Sequence, residues 1–172
     1  AYRSITFDTL VEAYVEQMKV LIECGVDALL CETIFDTLNA KAAIYAAEKS
    51  MEECGREVPI MLSLTIADGA GRTLSGQTIE AFLASVMSRK ILSVGLNCSF
   101  GAEQMKPFIK RISELAPCYV SAYPNAGLPN ELGNYDQSPD EMAELVKDYI
   151  ESSLVNIIGG CCGTTDEYIA RF

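Results

Sequence analysis

The sequence predicts an α/β fold, a partial parallel (β/α)8 TIM barrel of about the last five βα units. Five strand-like apolar segments alternate with segments of helical period, which is the pattern of a parallel sheet. The chain begins with a helix and ends within one, as a piece of a longer βα series would. Residues suited to chemistry follow the strand ends, where barrels place their sites. A complete doubly wound sheet is the alternative at this length.

The first part of the chain is defined by helical spacing and a glycine stop. Apolar residues over 10–22 recur every three or four positions, and Gly25 ends this helix. A short apolar strand over 28–31 follows and ends at Glu32. The alanine-rich segment 39–51 then predicts the next helix, since alanine has the highest helix propensity.

The middle of the chain predicts two strands separated by a polar loop and a helix. Residues 60–66 form the second strand, and a glycine-rich polar loop follows over 68–76. Thr78 can cap a helix that runs to about Arg89. Residues 91–96 are the third predicted strand.

The same alternation continues after the third strand. Amphipathic spacing predicts a helix over 105–115, and residues 119–123 form the fourth strand. That strand leads into a long polar loop over 125–137, which we place over the mouth of the site.

Two further helix starts carry capping signals. Ser138 is followed by proline at the first helical position and by Glu141 three residues after the cap, which predicts a capping box. Residues 154–158 are the fifth strand. Thr164 and Glu167 predict a second capping box for the last helix.

Composition narrows the classes of function. The 24 acidic residues exceed the 13 basic ones, and the net charge of -11 argues against a nucleic-acid surface, which needs a basic stripe. No apolar run approaches the roughly 18 residues of a membrane helix, and residues 1–4 lack the plan of a secretory signal. The chain has no histidine, which excludes Ser-His and Cys-His nucleophile pairs within it.

The chain has seven cysteines, an odd number, and its start lacks a secretory signal. Both observations argue against a framework of disulfide bonds and favour a protein of the reducing cytoplasm. Four of them lie in or beside apolar patterns, and we interpret them as small core or boundary residues. These four are Cys24, Cys31, Cys54 and Cys118. The other three follow the third and fifth strands.

These three, Cys98, Cys161 and Cys162, are the candidates for a metal site. Parallel strands end at one edge of a sheet, so the three thiols can converge. Glycines on both sides of the adjacent pair allow the turn that lets both thiols face one point. Three thiolates with an open fourth position suit a catalytic zinc that ionises a substrate thiol. Packing of the thiols in the core and a vicinal disulfide are the alternatives.

Five stretches of the chain resemble the homocysteine S-methyltransferase family. Two of them contain the cysteines: Gly-Leu-Asn-Cys at 95–98 and Gly-Gly-Cys-Cys-Gly-Thr-Thr at 159–165. The stretches at 32–43, 71–78 and 124–130 are similar to one branch of the family, the cobalamin-dependent methionine synthases. The resemblance runs in order over nearly the whole chain.

The resemblance implies roles for six residues. It makes the three cysteines the zinc ligands and the catalytic residues, and it makes Glu32 the residue that holds the ammonium group of homocysteine. Asn125 is implied to lie near the metal and to occupy its fourth position when substrate is absent, and Asn97 to shape the substrate pocket. The alternatives are that Glu32 is a solvated carboxylate, Asn125 a turn residue and Asn97 a partner of local backbone.

The activity implied by the resemblance is zinc-dependent methyl transfer to the homocysteine thiol, which gives methionine. In that branch, methylcobalamin and methyltetrahydrofolate belong to other domains, so the expected partners are the cobalamin-binding and folate-binding domains of a parent protein. Cobalamin modules of this type supply a histidine to cobalt, and this chain has none. Transfer from betaine or S-methylmethionine, and a non-catalytic zinc-stabilised module, are the alternatives.

The resemblance also implies that residues 1–172 are the C-terminal part of a homocysteine-binding barrel, with its first three strands absent. A partial barrel has unpaired edge strands, which favour association. We therefore expect the isolated chain to be inactive and to oligomerise.

Overall fold

A five-stranded parallel sheet, with the strands in the order β1 to β5, forms the centre of the fold. The computed structural model describes residues 4–87 and 89–172. Residues 1–3, which belong to the segment predicted to lack a secretory signal, lie outside the described residues. The strands are β1 (Leu29–Ile34), β2 (Ile60–Leu64), β3 (Ser93–Gly101), β4 (Tyr119–Asn125) and β5 (Ile157–Ile158). The helices are α1 (Phe7–Glu23), α2 (Thr37–Cys54), α3 (Ile79–Val86), α4 (Ala102–Leu115), α5 (Pro139–Glu151) and α6 (Asp166–Arg171).

The strand order confirms the barrel-type arrangement. Every strand is followed by a helix, and each strand pairs in parallel with the next one along the chain. A doubly wound sheet reverses its strand order at a switch point, and the described strands show no such reversal. The fold is therefore a partial TIM barrel. No helix in the described parts of the chain is long and apolar enough to cross a membrane.

Several element boundaries differ from the predicted ones. β3 and β4 extend beyond their apolar segments because polar residues continue the ladder, with Asn97 opposite Tyr123 and Gly101 opposite Asn125. Helix α3 ends at Val86 rather than near Arg89.

The two predicted capping boxes have different outcomes. At α5 the box is confirmed, since Ser138 and Glu141 bond each other's backbone amides. At α6 the prediction of a box between Thr164 and Glu167 is wrong, because the cap is Thr165 and it makes no side-chain bond. The Thr164 hydroxyl instead donates to the Cys161 carbonyl oxygen at 2.7 Å.

The helices cover one face of the sheet, whereas the opposite face is buried at Ser63, Ser93 and Ser121 but exposed at other positions. On the covered face, Leu62, Val94, Leu96 and Ala122 are fully buried. On the other face, register places one row of side chains across four strands: Leu30, Met61, Ser93 and Tyr119. Leu30 is 42% exposed and Tyr119 is 56% exposed, so this face retains apolar surface in contact with solvent.

Two neighbouring strands, β3 and β4, approach each other closely at Gly95. A Cβ atom at this position would lie 1.8 Å from the carbonyl oxygen of Ser121 on β4. Only glycine allows β3 and β4 to pack at this distance, and Gly95 lies two residues before Asn97.

The open sheet supports the expected association of the isolated chain. Within the described residues, β1 pairs only with β2, and β5 pairs only with β4, so both outer strands have an unpaired edge. Unpaired edges beside apolar surface are templates for pairing with another copy. Sedimentation velocity of the 172-residue chain is expected to show oligomers that grow with concentration, whereas one monodisperse monomer would contradict the prediction.

Candidate metal centre

Three cysteine sulfurs from two strand ends converge at the carboxyl edge of the sheet. The Sγ atoms of Cys98, Cys161 and Cys162 all lie within 4.8 Å of one another. Cys98 Sγ is 3.3 Å from Cys162 Sγ, and the two adjacent sulfurs are 4.0 Å apart. All three residues are half-buried, so the cluster is partly accessible to solvent.

The spacing of the sulfurs fits a tetrahedral zinc ion. Zinc–thiolate bonds of about 2.3 Å in tetrahedral geometry require sulfurs about 3.8 Å apart. The observed separations of 3.3 and 4.0 Å lie on either side of that value. Three thiolates are also the donor type that zinc prefers over harder cations such as calcium and magnesium. The residues therefore fit the expected group.

Cys98 adopts an unusual backbone conformation at the end of β3. Its φ angle is +57°, in the left-handed region that non-glycine residues seldom occupy. The parallel ladder with β4 is irregular between Asn97 and Gly101, so Cys98 leaves the strand geometry. Hydroxyls of Thr65 and Ser99 both donate to the Asn97 carbonyl oxygen at 3.1 Å and hold this turn in place.

The two adjacent cysteines lie in a turn that is bonded to the end of β4. The Cys161 amide donates to the Pro124 carbonyl at 2.8 Å, and the Ala126 amide donates to the Cys162 carbonyl at 2.9 Å. The Cys162 amide donates to Asn125 Oδ1 at 3.1 Å. These bonds give the turn a fixed position relative to β4.

Glycines next to the pair are required by close packing. A Cβ at Gly160 would lie 2.5 Å from the Thr164 hydroxyl oxygen. Gly163 has a φ of +81°, and a Cβ there would lie 2.4 Å from the Cβ of Tyr135. The turn expected from the glycines is therefore present, and it brings both thiols to the same side.

Burial affects the three thiols unequally. Burial, followed by the hydrogen bond to Cys162, raises the pKa of Cys98 to about 12. Burial also raises the pKa of Cys161. The hydrogen bond from Cys98 lowers the pKa of Cys162. Cys162 is therefore the thiol of the three that ionises most easily.

The structure buries Asn97 beneath the cysteine cluster. The side chain is fully buried and bonds to Thr33, Ser63 and Cys161, on β1, on β2 and after β5. The alternative of a purely local backbone partner is therefore wrong, since all these partners are distant in sequence. A direct role in substrate binding stays a prediction.

Asn125 is the last residue of β4, as the sequence predicted, whereas β1 continues two residues beyond Glu32 to Ile34. Asn125 is 5% exposed, and its oxygen accepts the bond from the Cys162 amide. Glu32 is exposed on β1, and its charge raises the pKa of Tyr123, although burial of the phenol is the larger cause. Their predicted roles, near the metal and at the substrate ammonium, stay predictions.

The remaining cysteines lie outside the cluster. Cys31 is buried, and Cys54 and Cys118 are half-buried, which agrees with core or boundary positions. Cys24 is exposed as the C-cap of α1, so its interpretation as a core or boundary residue is wrong. A residue at a helix end can continue an apolar period while its side chain points to solvent.

Sequence reasoning missed Thr33, Ser63 and Tyr135. Thr33 has a φ of +58°, and only three-dimensional proximity connects it and Ser63 to Asn97. Tyr135 lies in the long polar loop predicted to cover the site, and it packs against Gly163. The interaction of its hydroxyl with the Cys162 sulfur is the largest cause of the raised pKa of Tyr135. The loop position was the one available signal for Tyr135.

Comparison with known proteins places the chain in a family. The family model described as homocysteine S-methyltransferase matches residues 1–172. The fold is similar to the apo form of the homocysteine methyltransferase MmuM from Escherichia coli, with a TM-score of 0.71 and 19% identity over 98% of this chain and 58% of that one. The oxidized form of MmuM gives a TM-score of 0.70 and 20% identity over 94% of this chain and 51% of that one.

This chain thus spans between half and three-fifths of the length of the solved structures it matches. At such identities the structural likeness shows the common fold, and the sequence match over the whole chain shows the family. The chain belongs to the homocysteine S-methyltransferase family.

Proposed function

We propose that this chain is the zinc- and homocysteine-binding part of an enzyme that transfers a methyl group to the homocysteine thiol, giving methionine. The observation that carries the proposal is the convergence of three cysteine sulfurs within 4.8 Å at the carboxyl edge of the sheet. Membership of the homocysteine S-methyltransferase family supports the substrate. A (β/α)8 barrel places catalysis at the same edge.

The proposed mechanism assigns each residue one task. Cys98, Cys161 and Cys162 would hold the zinc ion. When bound, zinc would ionise the substrate thiol and leave it nucleophilic. Glu32 would bind the ammonium group of homocysteine, for which an exposed carboxylate has the right charge. Asn125 fixes the backbone of Cys162 and so the direction of its thiol.

For the methyl donor, we propose the cobalamin-dependent branch. Two of the stretches that resemble it are joined at the rim of the sheet: Ser75 Oγ donates to the Phe35 carbonyl at 2.9 Å, and the Thr37 amide donates to Gln77 Oε1 at 3.3 Å. Methylcobalamin and methyltetrahydrofolate would then be carried by other domains of the parent protein. Homocysteine methylation by methylcobalamin, with none by betaine or S-methylmethionine, is the expected assay result.

The test of the proposed site is the response of bound zinc to homocysteine in the full-length protein. X-ray absorption at the zinc edge is expected to change when homocysteine is added, because a catalytic zinc exchanges its fourth ligand. An unchanged spectrum with zinc fully bound would instead indicate a closed structural site, which is the non-catalytic alternative.

The variant Glu32→Gln separates substrate binding from metal binding in the same experiment. Zinc content is expected to stay at the wild-type level, while homocysteine affinity falls about 10- to 100-fold, since one charged hydrogen bond contributes roughly 1.5–3 kcal/mol. Glu57→Gln is the matched control. Glu57 is also an exposed glutamate, but it precedes the start of β2, at the edge of the sheet opposite the cysteines. Equal homocysteine affinity in both variants would contradict the role of Glu32.

A further inference from the structure

We infer that Asn97 is a positioning residue that holds the Cys161 sulfur by a side-chain N–H···S hydrogen bond, and that it does not bind substrate; this inference rests on the proposed metal site. Asn97 is fully buried under the cysteine cluster. Its amide nitrogen lies 3.9 Å from Cys161 Sγ, within the range of a hydrogen bond to sulfur.

The Asn97 amide has no bonding capacity left for a substrate. An asparagine side chain offers two acceptor positions on its oxygen and two donors on its nitrogen. The oxygen accepts from the Thr33 amide at 3.1 Å and from the Ser63 hydroxyl at 2.7 Å. The nitrogen donates to the Thr33 hydroxyl at 2.9 Å and to the Cys161 sulfur. All four positions are used within the protein.

The orientation of the Asn97 amide is fixed by one of its partners. The backbone amide of Thr33 can only donate, so the Asn97 atom facing it must be the oxygen. The nitrogen then necessarily faces the Thr33 hydroxyl and the Cys161 sulfur. The backbone of β1 at Thr33 therefore determines that the Asn97 nitrogen, and not its oxygen, faces the Cys161 sulfur.

This donor acts on the sulfur of a proposed metal ligand. A hydrogen bond to a thiolate stabilises the negative charge on sulfur, and it lowers the charge density that three thiolates concentrate in one place. The same amide holds Thr33, next to Glu32, in its left-handed conformation at φ +58°. Asn97 thus sets both the orientation of Cys161 and the end of β1.

The direct test uses the full-length protein loaded with ¹¹³Cd²⁺, a spin-active substitute for zinc. Scalar coupling passes through an N–H···S–Cd hydrogen bond, so a proton–cadmium correlation spectrum should contain a cross-peak from a side-chain amide proton of Asn97. The cross-peak should disappear in Asn97→Asp, a variant of nearly the same shape that lacks the donor. A residue with only a structural role would give no such coupling.

The outcomes are separable, and the wild-type spectrum decides without any variant. Bound cadmium with a cross-peak supports the inference, and bound cadmium without one overturns it while leaving the proposed metal site intact. Failure of the full-length protein to bind cadmium or zinc would overturn the metal site itself, and the inference with it.

Metal affinity gives a second readout by competition with a chelator. Asn97→Asp is expected to bind zinc about 10- to 100-fold more weakly, the usual loss when a partner of a metal ligand is removed. Ser63→Ala is the matched control, because it removes a bond to the same amide on the oxygen side only. Equal losses in the two variants would show that the amide acts on packing rather than on the sulfur.

Discussion

Replacing Cys98, Cys161 and Cys162 together with alanine is expected to remove zinc from the purified protein, as measured by atomic absorption. These three residues are the one group of cysteine and carboxylate side chains in the described parts of the chain that could hold a metal ion. Structural zinc sites contribute about 10–16 kcal/mol of binding free energy, which depends on the thiolates that ligate the ion. Each single substitution should lower zinc occupancy and homocysteine binding together.

A second triple variant controls for the loss of thiols as such. Cys24, Cys54 and Cys118 are also free cysteines, and they lie outside the converging cluster. Alanine at these three positions is expected to leave one zinc per chain. Stoichiometric zinc in the variant that lacks Cys98, Cys161 and Cys162 would refute the assignment of the metal centre.

The substitution Gly95→Ala is expected to cause the largest loss of folding stability from a single methyl group. The added Cβ would lie 1.8 Å from the Ser121 carbonyl oxygen and 2.5 Å from its carbonyl carbon, and backbone atoms in a sheet cannot move aside independently. Overpacking typically costs about 1–3 kcal/mol, and contact with backbone places this case at or above the upper end. Urea denaturation monitored by circular dichroism measures the loss.

Gly69→Ala is the matched control for this substitution. A Cβ at Gly69 would meet nothing within 4 Å, and its backbone is not in the left-handed region. The free energy of unfolding of Gly69→Ala should stay within about 0.5 kcal/mol of that of the wild type. A Gly95→Ala protein with a wild-type midpoint would show that β3 and β4 can separate without cost, contrary to the packing described above.

The alternation of elements could be predicted from the sequence because helical and strand periods are local. Periodicity does not encode which strands are neighbours, so the choice between a barrel and a doubly wound sheet required the observed strand order. The polar ends of β3 and β4 escaped prediction for a related reason. Residues such as Asn97 and Asn125 belong to the ladder through backbone pairing, which an apolar pattern does not reveal.

The contrast between local patterns and distant contacts also explains why one predicted capping box is confirmed and the other is wrong. Ser138 and Glu141 satisfy each other within one turn, so their spacing alone defines the box. Thr164 and Glu167 have the same spacing, but the Thr164 hydroxyl donates its hydrogen bond to the Cys161 carbonyl oxygen instead. A capping motif beside a constrained turn is therefore a poor guide, since the turn competes for the capping side chain.

The convergence of the thiols followed from one rule, that parallel strands end at a common edge. The partners of Asn97 could not be derived in this way, because Thr33 and Cys161 each lie 64 positions from it along the chain. Strand order and register bring them together, and neither is visible in the composition of the segments. Sequence thus predicted the candidate ligands, whereas their supporting contacts emerged only in three dimensions.

The link from Thr33 through Asn97 to Cys161 has a consequence for protein engineering. A redesign of the proposed amino-acid site at Glu32 that displaces the neighbouring Thr33 is expected to disturb also the Cys161 sulfur, 64 positions beyond Asn97. Libraries that diversify the β1 end alone should therefore lose metal loading as they change specificity. Joint randomisation of positions 33, 63 and 97 is the way to recover both properties.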